Sequence, residues 1–280
     1  MVEQPVKLRA NGREITFTLD LDPNEVQDNF MLQHFMLDSC YEPELAWLMF
    51  RALHEGNVVI DVGANMGFFT LIASRLVGPT GKVLACEPGQ NNLPQLRHHL
   101  DKNGVTNTQI ISYPIWCCEE QVTFYLNADS RGGNALFDPA NWWSNEKSQA
   151  KPQPVAMQAT TIDKLMTREI AAKVRMIKID TEGAEQKILE GAHGLLATVR
   201  PPFIVAEINP HGLMQAGCDE TTLRKFMSQF GYDAFALHAN GALPALIPHD
   251  TRINKPDVYQ VCNVLFSDLP SIAAAWPTVN

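Results

Sequence analysis

Apolar and polar residues alternate loosely from Val6 to Leu19 around an Asn11-Gly12 pair, the pattern of a β-hairpin. From Pro43 to Leu53 the spacing changes. Leu45, Leu48, Met49 and Leu53 then share one face of a helix, with Pro43 in its first turn. Beyond that point short apolar runs and helical spacing take turns. The runs predict strands at 58–62, 82–87, 109–113, 174–180, 203–208, 232–238 and 259–266. Helices are expected near 68–77, 91–103, 184–197 and 219–230. Such alternation folds into a mostly parallel sheet with helices on both faces. The expected architecture is α/β: a doubly wound, seven-stranded, mostly parallel sheet over residues 55–270. A hairpin-and-helix extension over 1–54 precedes it, and a tail over 271–280 follows.

One stretch breaks the alternation. Gln121 to Leu126 reads as a short strand, and Ala128 to Pro154 then carries Arg131-Gly-Gly-Asn134, Trp142-Trp143 and Pro152-x-Pro154. Connections this long are usually functional or disordered, and adjacent tryptophans are unusual in disordered chain. Two readings stay open: a lid or substrate wall built on Asn134, Trp142 and Trp143, or an exposed flap whose tryptophans plug the core.

The strand ends hold the chemistry. Val58 to Val62 runs into Gly63-Ala-Asn-Met-Gly67, and helical spacing resumes at Phe68. A glycine loop between strand and helix lets backbone approach a ligand and aims helix N–H groups at it. Asn65 tolerates left-handed backbone angles, so the turn stays sharp without a further glycine. Glu87 lies twenty residues beyond Gly67 and closes the next strand, where an acid can accept hydrogen bonds from two ribose hydroxyls. Asp61 at the loop mouth suits a ligand with a cationic end better than a pyrophosphate. Asp180 and Glu207 end two further strands, so four acids gather on one sheet edge, the edge where such sheets bind ligands.

These motifs resemble one family. Asp61-Val-Gly-Ala-Asn65, Glu87-Pro88, Thr161-Ile-Asp163, Lys178-Ile-Asp-Thr-Glu-Gly-Ala-Glu185 and Val205-Ala-Glu207 together are similar to the FkbM family of class I methyltransferases, over about residues 40 to 266. The resemblance implies a Rossmann-like fold, S-adenosylmethionine as cofactor, and O-methylation of a hydroxyl on a sugar, polyketide or other secondary metabolite. It implies a cofactor seat on Asp61, Gly63, Ala64, Asn65, Gly67 and Phe68, with Glu87 and Pro88 at the ribose. Tyr41-Glu42-Pro43 resembles a tripeptide that precedes the first motif, which sets Glu42 over the cofactor. Trp116 stands where the adenine is expected and either stacks on it or joins the core. The family usually has small residues there, and this chain does not.

Asp180 then faces the methyl group. It serves as base, or it holds a divalent metal such as magnesium together with Glu207 and Asn209. Glu182 lies two residues on and joins Asp180 and Glu207 as a catalytic candidate, and His211 is a further candidate base in the loop after Glu207. For Glu182 and Glu185, favourable charge at a helix N-terminus is the competing reading.

Composition narrows the rivals. A net charge of −9 and the absence of any Lys/Arg run argue against a nucleic-acid partner. No apolar stretch is long enough to span a bilayer, so no membrane partner is expected. Six cysteines show no C-x-x-C pairing, so neither a zinc site nor a disulfide framework is indicated, and free thiols point to a cytoplasmic protein. The expected partner is a small hydroxylated acceptor; a homo-oligomer stays open. Two other functions compete: an NAD-dependent oxidoreductase, disfavoured by the missing G-x-G-x-x-G, and a catalytically silent nucleoside-binding protein.

Overall fold

A computed structural model describes residues 1–37, 40–127, 130–138, 151–253 and 261–277. The N-terminal hairpin pairs β1 (Val2–Ala10) with β2 (Arg13–Leu21), and Asn11-Gly12 makes its turn with both φ angles positive. The main sheet contains β3 (Val58–Val62), β4 (Lys82–Cys86), β5 (Thr108–Ile111), β8 (Val174–Ile179), β9 (Phe203–Ile208), β10 (Asp233–Ala236), β11 (Ala245–Leu246) and β12 (Cys262–Ser267). Between β5 and β8 a separate ribbon pairs β6 (Gln121–Leu126) with β7 (Gln153–Gln158).

The order across the main sheet is β11-β10-β12-β9-β8-β3-β4-β5. From β5 to β9 the strands run parallel, and β12 enters antiparallel between β9 and β10. The sheet therefore has eight strands rather than seven, because the two-residue β11 adds an edge too short to register in the apolar pattern. The order reverses at β3, so the loops after β3 and β8 diverge to opposite sides and leave a crevice between them.

Every residue of β3 is buried, as expected of a central strand with helices on both faces. One core layer packs the hairpin and the helices Pro43–Ala52 and Phe68–Val77 against the sheet; the other packs Ile188, Leu189, Leu196, Leu213 and Leu223 against its opposite face. The extension is thus built into the core: Leu19 and Leu21 are fully buried.

Three elements depart from the sequence pattern. The helix expected over 184–197 divides into Glu185–Glu190 and His193–Thr198. At the joint, a Cβ on Gly191 would lie 2.1 Å from the Trp116 carbonyl oxygen, and Asp163 accepts from the N–H groups of Gly194 and Leu195 at 2.7 and 2.9 Å. Asp163 of the Thr161-Ile-Asp163 motif is therefore a helix cap. A helix over Val26–Met36 has no counterpart in the pattern, because its apolar residues do not share a face: Met31 and Leu32 are buried while Val26, Phe30 and Met36 are exposed. A helix at Leu269–Ala275 runs into the expected tail and buries Ile272 and Ala275. Among the described residues no helix is long and apolar enough to cross a membrane.

Candidate active site

The carboxyl ends of β3, β4, β5, β8 and β9 open onto a cavity of about 190 Å³. Gly63 and Asn65 line it after β3; Glu87, Pro88 and Asn92 after β4; Tyr113 to Ile115 after β5. Asp180 to Glu182 and Glu207 form the opposite wall, and Gln27 and Tyr41 reach in from the N-terminal extension.

The glycine loop is shaped by close approach. Gly63 has φ +79°, and a Cβ there would stand 1.8 Å from the Asp180 carbonyl oxygen, so only glycine fits between β3 and β8. Asn65 takes φ +50° and Gly67 φ +96°, the latter opening the helix Phe68–Val77. The Asn65 N–H donates to Glu87 Oε2 at 2.8 Å, and the Gly89 N–H donates to Glu87 Oε1 at 2.7 Å. Glu87 thus ties the two loops together; its Oε1 also accepts from Asn92 Nδ2 at 3.4 Å, and its Oε2 retains a lone pair for a further donor. Burial pushes its carboxyl up to about 7, against the stabilising pull of those N–H groups.

Lys178 stands behind the Asp180 wall of the cavity, and the sequence pattern does not single it out. Its ammonium, 2 % exposed, lies 3.1 Å from Asp180 Oδ2, 3.4 Å from Asp61 Oδ1 and 5.4 Å over the Phe69 ring, and donates to the Gly63 carbonyl at 3.2 Å. Burial opposes its charge, yet Asp180, Asp61 and Glu42 hold it protonated above its ordinary range. This corrects the role expected for Asp61. That carboxylate is fully buried, accepts from Thr70 Oγ1 at 2.6 Å, and does not line the cavity. The cation it meets is the protein's own lysine. The available signal was Lys178's position two residues before Asp180, on the same face of β8.

Around this lysine stands an excess of acid. Burial, reinforced by Asp180, pushes Glu182 up to about 8 and Glu42 to about 7. Glu207 is raised well above the carboxylate range by burial, then by Asp180 and Glu182, and its Oε2 is buried without a hydrogen-bond partner. Glu185 is spent on structure: its Oε1 accepts from the Thr181 and Gly183 N–H groups at 3.0 and 3.2 Å and from Thr181 Oγ1 at 2.9 Å. That grip holds Glu182 in left-handed backbone at φ +61°. Gly183 packs against Gly212, where a Cβ would lie 2.1 Å from the Glu182 carbonyl oxygen, so the loops after β8 and β9 touch through two glycines.

Several expected site residues lie elsewhere. Asn209 is not free to bind a metal: its Oδ1 accepts from the Gly212 N–H at 3.1 Å and its Nδ2 donates to Glu182 Oε2 at 2.7 Å. Among the described residues the one tight group of three His, Cys, Asp or Glu ligand atoms lies at Cys117, Cys118 and Glu120, not at Asp180, Glu182 and Glu207. Ala64, Gly67 and Phe68 sit behind the cavity, Gly67 against Leu96 and Phe68 among Phe17, Phe35 and Tyr41. Trp116 packs on the second core layer and donates from its indole to Glu120 Oε1 at 2.8 Å; Tyr113 lines the cavity in its place. His211 lies in the first turn of Pro210–Gln215 and is not on the cavity wall. Glu42 stands behind Tyr41, accepting from Asn263 Nδ2 at 3.0 Å.

Of the inserted segment, residues 130–134 and Leu136 line the cavity. They attach on the Glu87 side: Asn134 Nδ2 donates to Asn91 Oδ1 at 2.9 Å, Asn92 Nδ2 donates to the Arg131 carbonyl at 3.1 Å, and Arg131 pairs with Asp28 at 3.2 Å. Trp142 and Trp143 lie outside the described residues.

The raised carboxyls link stability to pH. Because Glu182 folds with a pKa of about 8, above the 4.5 of an unfolded glutamate, its contribution is present at low pH. It is lost as the pH rises from 4.5 through about 8. A Glu182→Gln protein keeps the size and cannot ionise. Its Tm is expected to gain on the wild type between pH 5.5 and 8.5, by about 2–4 °C for each kcal/mol of relieved charge. A difference in Tm that stays flat with pH would mean Glu182 titrates normally.

Residues 61–234 match the methyltransferase FkbM domain. A hexuronic acid methyltransferase, AglP of Haloferax volcanii, is 23 % identical over 189 residues, covering 67 % of this chain and 68 % of that one. Methyltransferase 1 of Beauveria bassiana is 22 % identical over 180 residues, 60 % of this chain and 68 % of its own. Among solved structures, a SAM-dependent O-methyltransferase of Thermotoga maritima superposes with TM-score 0.41 at 11 % identity, covering 94 % of this chain and 77 % of that one. A precorrin-6y C5,15-methyltransferase of Geobacter metallireducens superposes with TM-score 0.42 at 15 % identity, covering 80 % and 83 %.

Proposed function

This chain belongs to the FkbM methyltransferase family, and from that premise we propose that it methylates a hydroxyl group using S-adenosylmethionine. The acceptor is a small hydroxylated metabolite, such as a sugar or polyketide, with neither nucleic acid nor membrane as partner. The observation that carries this reading is the acid lining of the cavity. Glu87, Asp180, Glu182 and Glu207 line it, and Lys178 is already matched by Asp61 and Asp180. Burial raises Glu87, Glu182 and Glu207, and a ligand that brings positive charge of its own would offset that; a sulfonium and an ammonium together do so. A pyrophosphate would bring negative charge to a wall whose nearby lysine is already matched, which disfavours a nicotinamide dinucleotide.

The fit is also local. The spare lone pair on Glu87 Oε2 accepts a ribose hydroxyl, Pro88 and Ile115 offer apolar surface to a base, and the buried, unpartnered Oδ1 of Asn92 awaits a donor. Bound there, the cofactor supplies a methyl group already activated by the charge on sulfur. The protein has to align the acceptor, exclude water and take a proton. Lys178 pairs with Asp180 at 3.1 Å, which makes Asp180 an electrostatic partner for the methyl donor. Glu207 is better placed for the proton. Its Oε2 has no partner, and a cation against it would draw its carboxyl down into the range where a base works near neutral pH. A sugar acceptor is the preferred case, since the relative from Haloferax volcanii carries hexuronic acid in its name.

The decisive assay incubates the protein with S-adenosylmethionine and a panel of sugars and polyketide alcohols, and reads methylation by mass spectrometry. Calorimetry with S-adenosylmethionine and NAD in parallel separates the oxidoreductase; cofactor binding without any methyl transfer would favour the silent binding protein. In the same calorimeter Glu87→Gln should lose about 1.5–3 kcal/mol of S-adenosylmethionine affinity, the worth of hydrogen bonds to a charged group. Equal affinities would take the ribose away from Glu87.

A further inference from the structure

Cys117, Cys118 and Glu120 present three ligand atoms within 4.8 Å of one another, on a loop outside the cavity. The two sulfur atoms are 3.8 Å apart. Two thiolates on one tetrahedral zinc, each about 2.3 Å from the ion, stand about 3.8 Å apart. The pair is therefore already at the edge length of such a tetrahedron, and far beyond bonding distance for a disulfide.

The loop that holds them is braced. Trp116 donates its backbone N–H to the Thr160 carbonyl and Ala159 donates to the Glu120 carbonyl, both at 2.8 Å. The Trp116 indole N–H donates to Glu120 Oε1 at 2.8 Å, which orients the carboxylate as an outer-shell partner orients a ligand. Behind the loop, Gly191 lies against the Trp116 carbonyl too closely for any side chain. Cys117 is half-buried and Cys118 exposed, so an ion can enter from solvent and water can complete its coordination.

We propose that Cys117, Cys118 and Glu120 form a binding site for a thiophilic divalent cation, zinc or a metal like it, with solvent in the fourth position. Binding releases the two thiol protons to solvent and forms two metal–sulfur bonds and one metal–oxygen bond, with no change of oxidation state. Adjacent cysteines followed by Glu120 do not have the paired spacing by which zinc sites are recognised in sequence. The turn, not the spacing, brings the atoms together. The loop adjoins Tyr113 to Ile115 on the cavity wall, but the site holds no residue of the cavity itself, so its test does not depend on the methyl-transfer reading.

The test uses the whole chain, metal-free and held reduced by a phosphine. Zinc is titrated in competition with a chromogenic chelator. One zinc per chain is expected, with affinity falling by more than about 100-fold in Cys117→Ser or Cys118→Ser and by about 10–100-fold in Glu120→Gln. Cys218→Ser is the control, because that thiol is not in the ligand group and donates to the Leu213 carbonyl. Cadmium in place of zinc should give a thiolate-to-metal absorption band that the Cys117→Ser/Cys118→Ser double variant lacks. Unaltered zinc stoichiometry and affinity in that double variant, or no zinc retained against the chelator by the wild type, would overturn the proposal.

Discussion

A Glu207→Gln protein is expected to bind S-adenosylmethionine within a few-fold of the wild type and to lose about 10²–10⁴-fold in turnover, the usual worth of a positioned base. The substitution keeps the shape of the side chain at the end of β9 and removes its capacity to take a proton. The pH profile carries more weight than the rate. Wild-type turnover should fall as the pH drops through the raised pKa of Glu207, because the protonated carboxyl no longer accepts the acceptor's proton. In Glu207→Gln that acid limb should vanish from whatever rate remains. Asp180→Asn is the contrasting variant. It should cost about 10²–10³-fold, as for a lost electrostatic partner of the reacting group, with the acid limb intact. Turnover in Glu207→Gln close to wild type would remove Glu207 from the reaction and return the proton to Asp180.

The second large effect concerns stability. Lys178→Met preserves length and apolar bulk but strips the counter-ion from Asp61 and Asp180. Breaking one side of a buried ion pair costs about 3–5 kcal/mol, because the partner charge is left without compensation. The loss should appear as a lower denaturant midpoint with an unchanged slope. Adding Asp61→Asn to Lys178→Met should recover part of it, since one stranded carboxylate then becomes neutral. A single variant within about 1 kcal/mol of wild type would mean that water, rather than Lys178, solvates those acids.

Lys178 and Asp180 meet at the junction of β3 and β8, which explains the local sequence. Gly63 must be glycine because the Asp180 carbonyl oxygen occupies the space of its Cβ. Lys178 then reaches the Gly63 carbonyl and the two acids from the neighbouring strand. The cavity is thus walled by a rigid, charge-matched joint on one side and by the Glu87 loop on the other.

The alternation of apolar runs was enough to establish the α/β sheet, its strand positions and the edge where its acids gather, because strand and helix periods are local properties of a chain. The glycine loop was legible for the same reason: Gly63, Asn65 and Gly67 do take left-handed angles, and Glu87 does meet Asn65. What a side chain does at that edge is set by neighbours far along the chain. Asp61 reads as a ligand contact until Lys178, over a hundred residues later, claims it. Asn209 reads as a metal ligand until Gly212 and Glu182 use both ends of its amide. Glu207 reads in sequence as one of the acids at that edge and a catalytic candidate; what raises its carboxyl, burial with the charges of Asp180 and Glu182, and leaves its Oε2 without a donor is tertiary. Cys117, Cys118 and Glu120 become a ligand set only through the turn that gathers them. The periodic pattern therefore determined which residues stand at the edge of the sheet. Tertiary packing alone decided which of them keep a free lone pair, a matched charge or a raised pKa, because those properties depend on burial and on partners that no local pattern encodes.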